Sequence, residues 1–346
     1  MSERESLRDA IGAFIEDADG PDSPGQRDAL LRRLATYQRH TIPAYARLAA
    51  ARGIEAPALP TDVFRFARIA GHAPDEDQRV FRTSGTTNGR RGAHPFSDLA
   101  LYDQAAQRAA EAMLFPDVPN GMRLVLLLPS EDEAPDSSLS YMCARFIEWF
   151  ASSHAYCWPP TQASLEGALS LDEPIALIGT SFAFVHAEDA LSKRFELPEG
   201  SRLMFTGGFK GKSRTVEPAA MRSMLSERFG IAEPYLSGEY GMTELSSQMY
   251  EHPLRHALTG EGSAERRYWT PHWVRTTVVD PTTLQPLPDG ELGILRIDDL
   301  ANVDSVAALQ TADRARMFAD GFELLGRDRN AVPRGCSLAA EEALGP

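Results

Sequence analysis

Residues 83–92 read Thr-Ser-Gly-Thr-Thr-Asn-Gly-Arg-Arg-Gly, and this stretch decides how the rest of the sequence is interpreted. Four hydroxyl side chains, three glycines and two arginines stand within ten residues. Glycines let backbone N–H groups approach an anion, hydroxyls add hydrogen bonds, and a guanidinium binds two phosphate oxygens at once. The composition therefore suits a polyphosphate-binding loop. It is not a Walker A loop, because no Lys-Ser or Lys-Thr follows the last glycine, and a solvated turn fits the composition equally well.

The sequence after this loop alternates between helical and β-like patterns. Apolar residues at helical spacing follow it directly, at Leu99, Tyr102, Ala106, Ala109 and Met113. Short apolar runs at 124–128, 175–178 and 203–205 predict strands, and each is followed by a turn and a helical pattern. Such alternation predicts an α/β fold with a mostly parallel sheet covered by helices.

Further sequence patterns predict a helix, three more strands and a division of the chain into four segments. Residues 217–229 predict a helix with Pro218 in its first turn and Gly230 as its stop. After Tyr268, strands are predicted at 273–279, 291–297 and 306–310. We expect a helical N-terminal cap (1–75), an α/β core (76–267), a small β-rich subdomain (268–326), and a hinge with a short C-terminal arm (327–346).

The composition disfavours several classes of partner. There are 49 Asp and Glu against 35 Lys and Arg, a net charge of -14, so nucleic acid and anionic membrane surfaces would be repelled on average. The first residues are charged, and the longest apolar run, 124–129, is far shorter than a membrane span. We therefore expect a cytoplasmic protein without membrane insertion.

The three cysteines, Cys143, Cys157 and Cys336, do not indicate a disulfide framework.

Two further motifs carry groups that suit a nucleotide. Residues 237–244 read Ser-Gly-Glu-Tyr-Gly-Met-Thr-Glu, in which an aromatic ring can stack a purine and a carboxylate can hold Mg²⁺. Downstream, Asp313 and Arg327 bracket a predicted hairpin. A carboxylate can hold ribose hydroxyls, and an arginine can reach a sugar or phosphate.

These three motifs, in this order, resemble the adenylate-forming superfamily of acyl-CoA synthetases and their relatives. The resemblance implies that the loop wraps the triphosphate of ATP, that the Tyr240 motif binds adenine and phosphate, and that Glu244 binds Mg²⁺ and serves catalysis. It further implies that Asp313 binds ribose and that Arg327 marks a hinge. The implied nucleotide-binding residues are Thr83, Ser84, Gly85, Thr86, Thr87, Arg91, Gly238, Glu239, Tyr240, Gly241, Met242, Thr243, Asp313 and Arg327. The implied fold is the large N-terminal domain of that superfamily, with helix-covered mixed and parallel sheets, a β-rich subdomain, and the usual C-terminal domain shortened to an arm.

Within that superfamily the chain is most similar to the acyl-protein synthetase (LuxE-type) family, the ligase component of bacterial fatty-acid reductase. The similar segments are residues 128–130, 137–142, 206–211 and, above all, Pro-Arg-Gly-Cys-Ser-Leu-Ala at 333–339. In that family a C-terminal cysteine accepts the acyl group from the adenylate, and Cys336 matches it. The resemblance implies that a carboxylic acid, fatty in that family, becomes acyl-AMP and passes through Cys336 to a partner such as an acyl-accepting reductase.

The sequence departs from the family pattern at three points. Asn88 stands where most members have glycine, and Arg91 replaces the usual lysine while keeping its charge. Larger members also carry a C-terminal domain whose lysine assists adenylation. We expect Lys210, or else Lys212, to supply that cation, unless the step proceeds without it. Cys336 would need Arg334 or His154 to lower its pKa.

Two other functions stay open at this point. The chain could pass the acyl group to coenzyme A or to a carrier thiol, with Cys336 incidental, or it could be a non-catalytic nucleotide-binding scaffold. The acyl pocket is expected among residues 206–208, the residues before Tyr240, and residues 152–158, where aromatic side chains suit an alkyl chain or an aryl ring equally.

Overall fold

The computed structural model of the chain describes residues 2–17, 23–83, 91–170, 172–207 and 217–327. All statements about structure below concern these residues.

Internal contacts group the described residues into two compact units, neither of which is one continuous segment. The first takes its residues from Met1–Arg108, Met242–Gln248 and Thr270–Pro346. The second is formed by Ala109–Gly241 and Met249–Trp269. The division into four consecutive segments expected from the sequence stays a prediction.

The helices, in chain order, are α1 (Glu3–Glu16), α2 (Ser23–Thr41), α3 (Pro43–Arg52), α4 (Ala100–Met113), α5 (Ser138–Phe150), α6 (Gln162–Leu169), α7 (Ser181–Ala190), α8 (Pro218–Phe229) and α9 (Pro253–Thr259). Short 3₁₀ turns occupy Thr61–Arg65, Pro74–Glu76 and Glu233–Tyr235.

The strands are β1 (Leu59–Pro60), β2 (Arg79–Arg82), β3 (Ala93–Phe96), β4 (Met122–Leu127), β5 (Ala151–Tyr156), β6 (Ile175–Thr180), β7 (Arg202–Thr206), β8 (Leu236–Tyr240), β9 (Met249–Tyr250), β10 (Val274–Val279), β11 (Gly293–Asp299), β12 (Ala308–Phe318) and β13 (Gly321–Arg327).

The first unit begins with three helices, α1 to α3, in the segment that the sequence predicted to be helical. Ser2 caps α1 with a reciprocal capping box to Glu5, and Pro43 opens α3 where no backbone N–H is needed. Gly53 ends α3 with φ 62°, a left-handed conformation that favours glycine. Each helix buries an apolar face, which in α1 consists of Leu7, Ile11, Phe14 and Ile15.

A five-stranded sheet completes the β-rich part of this unit, in the order β1-β12-β11-β10 with β13 on β12. Its long neighbours are antiparallel, and the short β1 is parallel to β12. The strand predicted at 306–310 in fact begins at Ala308 and continues to Phe318. The apolar pattern did not predict this continuation, because charged residues follow Thr311. They are accommodated there because this part of β12 is half exposed and pairs with β13.

A separate two-stranded hairpin carries the predicted phosphate loop. Strands β2 and β3 pair antiparallel, with Phe81 opposite His94, and the loop 83–92 connects them. Helix α4 follows β3 as the apolar spacing predicted, and Tyr102, Ala106, Ala109 and Met113 are buried.

The second unit contains the parallel sheet expected from the sequence. The strand order is β5-β4-β6-β7-β8-β9, parallel from β5 to β8, with the short β9 antiparallel to β8. Its apolar core includes Val125 and Leu177 from the strands and Phe184, Leu225 and Phe229 from the helices. The carboxyl ends of these parallel strands share one edge, where ligands of open α/β sheets bind.

No helix in the described ranges is both long and apolar enough to span a bilayer.

Candidate active site

The base of the predicted phosphate loop is closed by a compact set of hydrogen bonds. The Thr83 amide donates to the Gly92 carbonyl at 3.0 Å, and the Gly92 amide donates to Thr83 Oγ1 at 2.9 Å. Arg91 Nε donates to the Thr83 carbonyl at 2.6 Å, and its Nη2 donates to the Arg82 carbonyl at 3.1 Å. Arg91 therefore braces the base of the loop in this structure. Ser84, Gly85, Thr86 and Thr87 lie outside the described residues.

Directly after the loop, His94 connects the hairpin to the Tyr-Gly-Met-Thr-Glu motif. Its Nδ1 lies 2.7 Å from the carbonyl oxygen of Thr243, which is 149 positions away in sequence. Because a carbonyl can only accept, Nδ1 carries the proton. Within the first unit, the structure thus brings the phosphate-loop hairpin into contact with the segment that bears Thr243 and Glu244.

The environment of His94 keeps its ring neutral. The side chain is fully buried, with the ring of Phe96 centred 4.2 Å away and that of Phe64 at 5.7 Å. Burial lowers the pKa of His94 to about 4, although the bond to the Thr243 carbonyl opposes this shift. None of the described residues gives its buried Nε2 a hydrogen-bond partner.

The rest of the segment after Thr243 is anchored by two buried polar residues. Asn302 Nδ2 donates to the Glu244 carbonyl at 2.9 Å. Asp299 accepts from the Ser246 amide at 3.0 Å and from Ser247 Oγ at 2.7 Å. Burial raises the pKa of Asp299, and these donors work against that shift. The backbone that presents Glu244 is therefore fixed by side chains about 55 residues away in sequence.

Glu244 is the residue that the sequence predicted to bind magnesium. Among the described residues, no group of three or more His, Cys, Asp or Glu side chains is arranged to hold a metal. Mg²⁺ commonly binds through one or two carboxylates together with substrate phosphates. The single carboxylate of Glu244, on a fixed backbone, fits that mode of binding.

The predicted ribose-binding pair lies on the hairpin formed by β12 and β13. Asp313 and Arg327 are direct register partners, and Arg327 Nε lies 3.4 Å from Asp313 Oδ1. Asp313 is the less exposed of the two side chains. The sequence prediction of an Asp and an Arg that bracket a hairpin is confirmed, while their roles in binding stay predictions.

The first half of the Tyr240 motif belongs to the second unit, as the last strand of its parallel run. The amide of Gly238 donates to Glu251 Oε2 at 2.9 Å, and the ring of Tyr240 meets that of Tyr268 edge-on at 5.9 Å. A Cβ at Gly238 would lie 2.8 Å from the Tyr268 hydroxyl, so only glycine fits here without displacement. Gly241 and Met242 follow, and the Met242 carbonyl accepts from the Leu245 amide in a turn.

Glu239 is a buried carboxyl group of this motif. Its side chain is buried at the end of β8 and is hydrogen-bonded to Thr206 Oγ1 at the end of β7. Burial raises the pKa of Glu239 to about 7, with the Thr206 hydroxyl opposing the shift. A carboxyl group that gains or loses its proton near neutrality therefore lies where the acyl pocket was expected.

Several other described groups lie near Glu239 and Thr206. Gly207 follows Thr206 with φ 72°, and its carbonyl accepts a 2.6 Å hydrogen bond from Ser181 Oγ. Cys143 on α5 is buried, and burial together with the nearby Glu239 carboxyl raises its pKa. Cys157 after β5 is also buried with a raised pKa. These two thiols are core residues and make poor nucleophiles.

The remaining predicted residues are placed as follows. Cys336, Lys210, Lys212 and Arg334 lie outside the described residues, so their roles stay predictions. His154 is exposed on β5, with its ring against Tyr156. The sequence did not predict a role for His94, Asn302 or Asp299, because these residues form no motif. Their contacts with residues 243–247 are visible only in the folded structure.

Comparisons with known proteins agree with the motifs. No protein-family model matches the chain. The long-chain-fatty-acid–luciferin-component ligase of Vibrio harveyi is 21% identical over 310 residues, which are 83% of this chain and 78% of that protein. Its counterpart in Aliivibrio fischeri is 20% identical over 306 residues, or 82% and 78%.

Solved structures show the same fold. The 2-hydroxyisobutyryl-CoA ligase in complex with 2-HIB-AMP has a TM-score of 0.66 and 17% identity, over 88% of this chain and 67% of that chain. ATP-bound MatB from Rhodopseudomonas palustris has a TM-score of 0.54 and 16% identity, over 74% and 49%. The match thus spans about half the length of the MatB chain. The predicted fold of the adenylate-forming enzymes is confirmed, as is the resemblance to ligases of the LuxE type.

Proposed function

We propose that this protein is an ATP-dependent acyl-protein synthetase: it converts a carboxylic acid into acyl-AMP with release of pyrophosphate, and then transfers the acyl group to Cys336. The observation that carries the proposal is the hydrogen bond from His94 to the Thr243 carbonyl. It holds two predicted nucleotide-binding motifs together inside one unit of a fold that the adenylate-forming enzymes share. The names of the curated relatives support the same class of activity.

The first step makes a poor electrophile reactive. A carboxylate oxygen of the acid attacks the α-phosphorus of ATP, the bond to the bridging oxygen breaks, and pyrophosphate leaves. Mg²⁺, when bound, neutralises charge on the departing phosphates. The chain supplies Glu244 on its anchored backbone to hold that ion, the 83–92 loop to surround the phosphates, and Asp313 to hold the ribose. Lys210 remains our candidate for the additional cation.

The second step moves the acyl group to sulfur. The Cys336 thiolate attacks the acyl carbonyl, AMP leaves with the electrons of the anhydride bond, and a thioester forms. The burial of Cys143 and Cys157 leaves Cys336 as our choice of nucleophile. Arg334, two residues away, would favour the thiolate. An acyl-accepting protein, such as a reductase, would then take the acyl group from the thioester.

A fatty acid is the first substrate to test, because the curated relatives are named for long-chain fatty acids. The hydrogen-bonded pair of Glu239 and Thr206 belongs to the segments among which we expect the acyl pocket. A panel of aliphatic, aromatic and hydroxylated acids in an acid-dependent ATP–pyrophosphate exchange assay identifies the preferred class. A non-catalytic scaffold would show no exchange with any of these acids.

Labelling separates acyl transfer to protein from transfer to coenzyme A. We expect wild-type enzyme with ATP and radiolabelled acid to become labelled in a hydroxylamine-sensitive way. Cys336→Ser should lose the label but keep pyrophosphate exchange, while Cys157→Ala, a control at a buried thiol, should retain both. An unlabelled wild type, or undiminished label on Cys336→Ser, would contradict the proposed acceptor.

The second candidate function is an acid–CoA or carrier-protein ligase. It is favoured by the similarity to the 2-hydroxyisobutyryl-CoA ligase, which covers 88% of this chain. In that case the acyl-CoA would form equally with wild type and Cys336→Ser, and no protein-bound label would accumulate.

A further inference from the structure

One buried histidine links two predicted motifs, yet it belongs to neither. His94 follows the phosphate loop on β3, directly opposite Phe81 on β2. The rings of Phe64 and Phe96 pack against its imidazole. Because the side chain has no exposed surface, the ring cannot reorient without disturbing the hairpin.

The hydrogen bond of His94 is directional, which limits what the residue can do. Nδ1 donates to the Thr243 carbonyl at 2.7 Å, so Nε2 bears no proton, and it meets no hydrogen-bond partner among the described residues. The unprotonated nitrogen is enclosed within the fold. Its chemistry is therefore that of a fixed donor to one backbone carbonyl, not that of an acid or base.

The segment that receives this bond is otherwise anchored from elsewhere in the first unit. Asn302 binds the Glu244 carbonyl and the Ser246 hydroxyl, and Asp299 binds the Ser246 amide. These two residues lie on or just after β11, whereas His94 lies on the phosphate-loop hairpin. The bond from His94 thus fixes the position of Thr243 relative to that hairpin. Asn302 and Asp299 fix the following residues, Glu244 and Ser246, relative to the β-rich sheet.

We propose that His94 is a positioning residue that holds the backbone of Thr243 and Glu244 in register with the β2–β3 hairpin, and that turnover in adenylation depends on this register. This inference rests on the proposed adenylation function. A displacement of about 1 Å in such an arrangement can reduce turnover about 100-fold.

Two substitutions separate the effect of losing the hydrogen bond from the effect of changing the side-chain volume. His94→Phe fills a site already lined by Phe64 and Phe96 but offers no donor. His94→Asn keeps an amide donor near the position of Nδ1. His272→Phe is the matched control, because His272 also binds a backbone carbonyl in the same unit, that of Phe14 at 2.6 Å, and also packs against aromatic rings.

The first measurement is acid-dependent ATP–pyrophosphate exchange with separate kcat and KM values. We expect His94→Phe to reduce kcat by about 10- to 100-fold with a smaller change in the KM for the acid. We expect His94→Asn to recover much of the loss and His272→Phe to stay within about 3-fold of wild type. Equal kcat values for His94→Phe and His272→Phe would overturn the inference.

Amide hydrogen exchange tests the same role without catalysis. Peptides that cover residues 242–248 should exchange faster in His94→Phe than in wild type or His272→Phe, whereas peptides from α5 should not change. Unchanged protection of 242–248 overturns the inference. If wild type shows no pyrophosphate exchange with any acid, the proposed function fails, and the amide-exchange comparison still decides whether His94 fixes the segment.

Discussion

Arg327 Nε lies 3.4 Å from Asp313 Oδ1, and the two residues are direct partners where β12 pairs with β13. The Arg327 side chain is 58% exposed, whereas that of Asp313 is 16% exposed. An ion pair with so exposed a partner contributes about 1 kcal/mol or less. The Asp313 carboxylate can therefore exchange this guanidinium for ribose hydroxyls at little energetic cost.

Asp313→Asn is expected to weaken ATP binding more than it weakens the fold. Loss of a hydrogen bond to a charged group corresponds to about 1.5–3 kcal/mol, which would raise the KM for ATP in the exchange assay by roughly 10- to 100-fold. Arg327→Gln removes the same ion pair, and its free energy of unfolding should fall by less than about 1 kcal/mol, which shows that the pair contributes little to the fold. An unchanged KM for ATP in Asp313→Asn would contradict the ribose-binding role.

Glu239→Gln should change the pH dependence of stability. The pKa of Glu239 is raised by burial from 4.5 to about 7, so between these values the folded protein keeps a proton that the unfolded chain has lost. The free energy of unfolding therefore falls as the pH rises through this window, by about 3 kcal/mol at most. Glutamine mimics the neutral form and removes that loss.

Urea unfolding of wild type and Glu239→Gln at pH 5 and pH 8 measures this effect. We expect the variant to gain about 2 kcal/mol relative to wild type on going from pH 5 to pH 8. Asp299, whose pKa is also raised by burial, is present in both proteins, so its contribution cancels in the comparison. A difference that does not vary with pH would show that Glu239 is ionised in the folded protein.

His94 should have the opposite pH signature. Burial and the charge of His72 lower its pKa from 6.5 to about 4, and the Thr243 carbonyl and Asp304 oppose the shift. Below pH 6.5 the unfolded chain binds a proton that the folded protein excludes, so stability falls as the pH drops from 6.5 toward 4. In His94→Phe this acid-induced loss should shrink by roughly 2 kcal/mol, measured by urea unfolding at pH 7 and pH 4.5. An identical acid-induced loss in the variant and wild type would rule out a neutral, buried His94.

The sequence predicted those parts of the fold that depend on local patterns. Apolar runs at 124–128, 175–178 and 203–205 matched three buried parallel strands, and Pro218 and Gly230 marked a helix at its two ends. These features follow from hydrophobic periodicity and backbone geometry, which any single sequence displays.

The candidate site was predictable only where its residues form motifs. The sequence motif predicted that Asp313 and Arg327 bracket a hairpin, whereas their direct pairing between β12 and β13 is known only from the structure. The contact of His94 with Thr243 spans 149 positions and follows no spacing rule, so only the fold reveals it. The raised pKa of Glu239 likewise depends on burial, which one sequence does not specify for a glutamate in a polar motif.

In the second unit, Arg202 is buried at the start of β7. Both of its terminal nitrogens bind Asp117, at 2.7 and 2.9 Å, and Nη1 also donates to the Leu114 carbonyl at 2.8 Å. Although burial raises the pKa of Asp117, this bidentate pairing lowers it overall. Asp117→Ala leaves a buried guanidinium without its counter-charge, and such a loss strongly destabilises a fold. Because Asp117 is 36% exposed, we expect a decrease of about 2–3 kcal/mol in the free energy of unfolding, at the lower end for buried pairs.

A double-mutant cycle distinguishes the charge pair from simple loss of contacts. Arg202→Met removes the charge while keeping much of the side-chain volume, so the double variant should lose less stability than the two single variants combined. Glu227→Ala is the matched control, because the pair of Arg194 and Glu227 is 69% and 62% exposed and should contribute less than about 1 kcal/mol. If Asp117→Ala is no more destabilising than Glu227→Ala in urea unfolding, Arg202 is solvated in solution, and the buried pair does not stabilise this sheet.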